Sequence, residues 1–163
     1  MEDFMAGQVK PIPEGYEGAT PYLCVRSATE AIDFYKKAFG ATEVLRFADP
    51  NGKIGHAELR IGKALIMLAD EFPEMDVRSP QSIGDTPVSI MIYVPNVDEF
   101  VQRAVAAGAK VQRPVADQFY GDRGGKLKDP FGHVWWIATH KEDVPMDEMH
   151  RRAAALFGQQ TAT

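Results

Sequence analysis

The sequence is poor in cysteine, in long apolar runs and in surplus positive charge, and each shortage removes a class of function. One cysteine, Cys24, has no partner within the chain, so no internal disulfide staples the fold, and a lone thiol fits a reducing compartment such as the cytoplasm. No apolar stretch approaches the roughly 20 residues that a membrane-spanning helix needs, so no membrane partner is expected. The opening MEDFMAGQVKPIPEGYEG is acidic, rich in Pro and Gly, and without the apolar segment of a secretory signal; residues 1–18 are read as an irregular arm. Lys and Arg number 18 against 23 Asp and Glu, for a formal net charge of −5. Neutralising phosphates takes clustered cations, and here they are scattered among acids, so no nucleic-acid partner is expected. What remains is a chain of 163 residues, 45% hydrophobic and 25% charged, enough for one buried core.

The order of elements repeats. PYLCVR reads as a strand and SATEAIDFYKKAFG as a helix, with Ser27 at the N-cap, Glu30 three residues on, an apolar stripe of Ile32, Tyr35 and Phe39, and Gly40 at the end. TEVLRFAD, GHAELRI and ALIMLAD follow as three strands joined by tight turns. The same βαβββ order returns in PVSIMIYV, NVDEFVQRAVAAGA, KVQRPV, GGKLKD and HVWWIATH, and Gly108-Ala109 repeats Gly40-Ala41 after 68 residues. A repeat that is itself a supersecondary unit implies two modules sharing one fold, 19–85 and 86–143, in a single domain over 19–143. The connector 71–85 is polar and proline-bearing, and its length suits a linker or a lid equally. Residues 144–157 read as a C-terminal helix with Pro145 in its first turn and Met146, Met149, Ala153 and Leu156 on one stripe, docked on the body or on a partner subunit. The final QQTAT is expected to fray.

The duplicated module, with AIDFYKKAFGA in its first helix and DPFGHVWWI on its last strand, resembles the glyoxalase / bleomycin-resistance / extradiol-dioxygenase superfamily, the vicinal oxygen chelate proteins. GDRGGKLKDPFGHVWWIATHKEDV and DEMHRRAAALF are similar to the subgroup named after a protein of the phosphonate-utilisation operon. The resemblance implies an α+β fold in which eight strands form an incompletely closed barrel, a U-shaped sheet, with helices outside and a cavity inside. In metalloenzymes of the family four side chains in that cavity hold one divalent ion. Those positions are expected here at Thr20 and Glu58 in module one and at Ser89 and Trp136 in module two. A neutral hydroxyl ligates poorly and an indole only donates, so one carboxylate stands where an ion wants four donors.

Side chains alternate along a strand, so the adjacent Trp135 and Trp136 face opposite ways, Trp135 with Ile137 toward the helices and Trp136 into the cavity. His56 and Glu58, two apart, share a face and are the ligands if a metal is bound, with His133 or His140 as a distant third; His133 should point away from Trp136's side. Glu58 is also the candidate general base, its pKa expected to be raised by a cavity walled by Tyr22, Met91, Tyr93 and Trp136. The bland alternative pairs it with Arg46, Arg60 or Arg123. Phe119, Tyr120 and Arg123 on the DQFYGDRGG loop are expected to close the mouth over an anionic or planar ligand, against the alternative of a packed turn with a surface ion pair. Cys24 is read as core. The sequence therefore points to a cytoplasmic homodimer that binds a small molecule in a metal-free cavity without a cofactor. The rival is a metal-dependent lyase, isomerase or dioxygenase with an altered ligand set, using one divalent metal; a purely structural module is the weakest reading.

Overall fold

The computed structural model describes residues 9–160, with side chains through residue 158. The first eight residues of the expected arm and the expected fraying at 161–163 lie outside the described residues. Module one runs β1 (Tyr22–Val25), α1 (Ala28–Phe39), β2 (Thr42–Ala48), β3 (Ile54–Ile61) and β4 (Ala64–Asp70). A connector with a 3-10 turn (Pro73–Met75) and the short helix α2 (Pro80–Ile83) leads to module two: β5 (Ser89–Tyr93), α3 (Val97–Ala106), β6 (Lys110–Asp117), β7 (Asp122–Lys128) and β8 (Val134–His140). Helix α4 (Met146–Gln160) closes the chain.

Each module makes its own four-stranded sheet, ordered β1-β4-β3-β2 and β5-β8-β7-β6, parallel only at β1/β4 and β5/β8. Among the described residues no pairing joins β1 to β5, so the eight strands stay an unclosed pair of sheets, as the α+β expectation required. Pro114 sits on β6, an edge strand where a missing N–H is tolerated.

Helices form where apolar residues recur at helical spacing and pack on one another. Ile32, Tyr35, Ala38 and Phe39 of α1 and Val97, Phe100, Val101 and Ala104 of α3 are buried, and the Phe39 and Phe100 rings stack at 5.2 Å. The chain leaves α1 through Gly40, whose φ of 67° is one a side chain would strain. Both helices receive their first backbone N–H bond from the last strand of their module: Ala28 N donates to Asp70 Oδ1 (2.7 Å) and Val97 N to Thr139 Oγ1 (2.9 Å). Ser27 occupies the N-cap position without making the side-chain bond expected of it, because Asp70 does that work; Asn96 does accept from Glu99 N.

Trp135 is fully buried, edge-on to Tyr35 and Phe39. Its indole N–H (2.8 Å), the Tyr35 hydroxyl (2.6 Å) and the backbone N–H groups of Phe131 and His133 (2.9 Å each) all donate to Asp129, a buried carboxylate in the DPFGH turn. The connector 71–85 is packed rather than free. Ser79 is fully buried and takes a 2.7 Å bond to Glu71, Gln81 donates to the Pro130 carbonyl, and Pro80 lies so close to Gly132 that a Cβ there would meet it at 2.9 Å. Helix α4 docks through its first half, where Arg152 reaches Glu142, Glu148 and the Phe119 carbonyl, while Leu156 and Phe157 are exposed. Among the described residues no helix is long and apolar enough to cross a membrane.

Candidate functional site

The side of each sheet turned away from the helices carries the polar groups, and the two modules furnish it differently. On module one, residues two apart on β3 put His56 and Glu58 together. The Tyr22 hydroxyl meets His56 Nδ1 at 2.7 Å, His56 Nε2 meets Glu58 Oε1 at 3.1 Å, and the Tyr16 hydroxyl donates to Glu58 Oε2 at 2.5 Å. Tyr16 belongs to the arm, which crosses this face and leaves Glu58 only 5% exposed; Gly15 passes beside Arg60. Phe47 stacks on the His56 ring at 6.5 Å.

The Glu58 pKa is lowered, which corrects the expected rise. The Tyr16 hydroxyl is the largest cause; burial pulls the other way, and His56 and Arg60 add to the lowering. A carboxylate stabilised in its charged form is a weaker proton acceptor, so the general-base role loses its driving force. Of the proposed guanidinium partners, Arg60 acts on it through its charge without an ion pair among the described residues, while Arg46 is bidentate to Glu43 and Arg123 to Asp98.

Strand register fixes which positions correspond. Glu58 on β3 lies opposite Met67 on β4, which lies opposite Tyr22; Lys126 on β7 lies opposite Trp136 on β8, which lies opposite Met91. The counterpart of Trp136 is therefore Met67, and the counterpart of Glu58 is Lys126, a correction to the sequence pairing of Glu58 with Trp136. The family's ion would thus look to Thr20, Met67, Ser89 and Trp136, a set without a carboxylate or imidazole, and this donor chemistry does not fit a divalent cation. His56 and Glu58 supply two donors, fewer than the three an open metal site uses, and both Glu58 oxygens already accept hydrogen bonds. His133 and His140 are committed elsewhere, His133 to the Cys24 carbonyl at 2.9 Å and His140 to Asp122 and Asp143. Among the described residues no group of three or more His, Cys, Asp or Glu is placed to hold an ion.

On module two, Trp136 projects from the open side, as alternation demands, with the Arg113 guanidinium 5.9 Å from its ring. Gly124 makes room for the indole, since a Cβ there would lie 3.3 Å from Trp136 Nε1. Further along the same face the Tyr93 hydroxyl donates to Asp122 Oδ2 (2.6 Å), and His140 Nδ1 meets Oδ1 (2.7 Å). Bonding first to Asp143 and then to Asp122 raises the His140 pKa. Tyr93 is likewise raised, chiefly by its bond to Asp122.

Two cavities meet at the seam between β1 and β5. One of about 820 Å³ is lined by Thr20, Met91 and Tyr93 among others, and one of about 510 Å³ by Thr20, Tyr22, Ser89 and His133. They share Ala19, Thr20, Pro21 and Ile90, so five of the expected ligand residues come together there. Glu58, His56 and Trp136 line neither: the first two join through Tyr22, and Trp136 through Met91. Phe119 and Tyr120, expected to close the mouth, line neither cavity; they pack edge to face, and burial followed by the nearby Asp122 charge raises the Tyr120 pKa. Arg123 is a correction: alternation along β7 turns it to the helix side, where it holds Asp98 at 2.8 Å and Asp117 at 3.2 Å. Cys24 is half-buried rather than core, its thiol pushed up to about 11 by burial, then by Glu71 and Asp70.

Sequence reasoning missed Tyr16, Arg113, Lys126 and the Asp122–His140 pair. Lys126 and the Asp122–His140 pair follow from alternation once the Lys126–Trp136 register is fixed; Arg113 reaches the same face through a register shift in β6 that alternation does not foresee, and nothing local marks Tyr16, whose contact spans 42 residues.

The family model described as Glyoxalase/Bleomycin resistance protein/Dioxygenase superfamily matches residues 19–137. The uncharacterized protein Rv0887c of Mycobacterium tuberculosis is 44% identical over 150 residues, covering 90% of this chain and 85% of that protein. The uncharacterized protein At5g48480 of Arabidopsis thaliana is 31% identical over 129 residues, covering 73% and 75%. The crystal structure of PA1353 from Pseudomonas aeruginosa is similar with a TM-score of 0.61 at 26% identity, covering 76% of this chain and 98% of that one.

Proposed function

Because this chain belongs to the glyoxalase/bleomycin resistance protein/dioxygenase superfamily, we propose that it binds a small organic molecule, without a metal, at the seam between its modules and on the adjoining open face of module two. The supporting observation is the pair of joined cavities, about 820 and 510 Å³, within the range that encloses drug-sized molecules. Their walls carry aromatic and hydroxyl groups, Tyr22, Tyr93, Thr20 and Ser89, and Met91 leads from the larger cavity directly to Trp136. Aromatic walls supply affinity by burial, and the hydroxyls fix orientation. No cofactor enters this reading; the donors at the family's ion positions suit a divalent cation poorly.

The working unit in this proposal is a homodimer in the cytoplasm. Phe47 on β2 and Leu156 and Phe157 on α4, all outside the proposed binding walls, leave apolar surface exposed, and a second copy would cover it. The unpaired thiol of Cys24 suits a reducing compartment.

The test is a thermal-shift screen of metabolites and drugs against chelator-treated protein, because a ligand that binds only the folded state raises the melting temperature. Hits should weaken in Tyr22→Ala and Trp136→Ala. Stoichiometric metal that survives chelation and is required for every hit would overturn the metal-free reading.

A further inference from the structure

Building on that binding reading, we infer that the open face of module two recognises a planar aromatic molecule carrying an anionic group, with the ring on Trp136 and the anion between Arg113 and Lys126. Three pairings align one row across all four strands: Arg113 opposite Lys126, Lys126 opposite Trp136, Trp136 opposite Met91. Directly opposed residues project to the same side, so cations, indole and thioether form one strip. The next row holds Lys110 opposite Lys128 and Lys128 opposite Val134.

Two consecutive rows thus set like charges directly against each other, an arrangement that destabilises a sheet in water. No carboxylate relieves it where it is densest. Lys128 has Asp85 at 3.9 Å, whereas among the described residues Lys110, Arg113 and Lys126 make no ion pair. The one buried acid on this face, Asp122, is two residues beyond Gly124, about 13 Å along the strand from Lys126, and both its oxygens are taken by Tyr93 and His140. A bound anion would supply the missing counter-charge. Trp136 is half-buried with its indole over Gly124, so the partly exposed indole is the part of the strip that an aromatic ring can meet. A cation beside an aromatic face is the pairing that holds an aryl carboxylate, sulfonate or phosphate by stacking and charge together.

The probe is 2-naphthoate, with 2-naphthalenemethanol as its uncharged counterpart, titrated into the full chain by calorimetry and followed at the two indole N–H signals by NMR. Saturable binding of the naphthoate is expected, with the Trp136 signal moving and the buried Trp135 signal still, and with affinity falling as salt rises. Arg113→Gln and Lys126→Gln should each weaken it about tenfold or more, and Lys37→Gln, exposed on α1, should not. Equal binding of the alcohol, or unchanged affinity in both variants, overturns the inference. If 2-naphthoate fails while the metabolite screen yields ligands of other chemistry, this inference falls and the binding reading stands; a blank screen removes both. A change of oligomeric mass in Arg113→Gln or Lys126→Gln without naphthoate binding would assign the strip to a second copy of the chain and also overturn it.

Discussion

The two modules agree on the side of their sheets that meets the helices and disagree on the side that does not. On the helix side Asp70 and Thr139 stand at corresponding strand ends and do the same job, accepting the first N–H of α1 and of α3. On the open side, the row Leu45–Glu58–Met67–Tyr22 in module one corresponds to Arg113–Lys126–Trp136–Met91 in module two. A carboxylate under a tyrosine strap faces the same way in its module as a bare ammonium does in the other. The helix side is constrained by packing and by orphan backbone donors, which leave few solutions. The open side carries no such constraint, and there the modules differ in charge, cover and chemistry, which is where recognition belongs.

The largest test of that contrast uses two neighbours on one strand. Trp135→Ala should lower unfolding free energy by about 3–5 kcal/mol, since it opens a cavity among Tyr35 and Phe39 and removes a donor to Asp129. Trp136→Ala should lower it by about 1 kcal/mol or less, because the half-buried indole is solvated on its outer face. Urea denaturation of both variants measures the difference, and equal losses would mean that the open side is core as well. A smaller test takes the corresponding residues Glu58 and Lys126. Glu58→Leu leaves the Tyr16 and His56 groups without their acceptor and should destabilise by about 1–3 kcal/mol. Lys126→Gln removes a like charge opposite Arg113 and should stabilise by about 0.2–1 kcal/mol, less at high salt. Denaturant midpoints at low and high ionic strength check both signs.

Periodicity carried most of the fold and the facing of single residues within the candidate site. The opposite placement of Trp135 and Trp136 follows from a period of two, and the buried stripes of α1 and α3 from a period near 3.6; both are local and survive into the structure. What depends on register across strands was not local. Matching Glu58 to Trp136 required knowing that Trp136 lies on the strand corresponding to β4, and Arg123 was turned the wrong way for want of the same alignment. The connector's α2 was missed because four residues are too few to show a period, and its position rests on the contact of Pro80 with Gly132. The depressed pKa of Glu58 was out of reach for a related reason: its largest cause is a hydroxyl contributed from the arm, 42 residues away.

That hydroxyl gives the smallest and most selective prediction. Glu58 is lowered from its ordinary 4.5, so its contribution to stability is fully present above that value and is lost as pH falls through the lower folded pKa. Tyr16→Phe deletes the largest cause of the lowering while leaving His56 and Arg60 in place, so the Glu58 pKa should move back up. The acid limb of the stability profile should shift to higher pH in the variant, and stability near neutral pH should fall. Carboxyl carbon shifts of Glu58 followed through the acid range measure the change directly. An unmoved titration would mean that the arm lies over module one without holding its carboxylate, and the contrast between a strapped face and a bare one would then rest on charge alone.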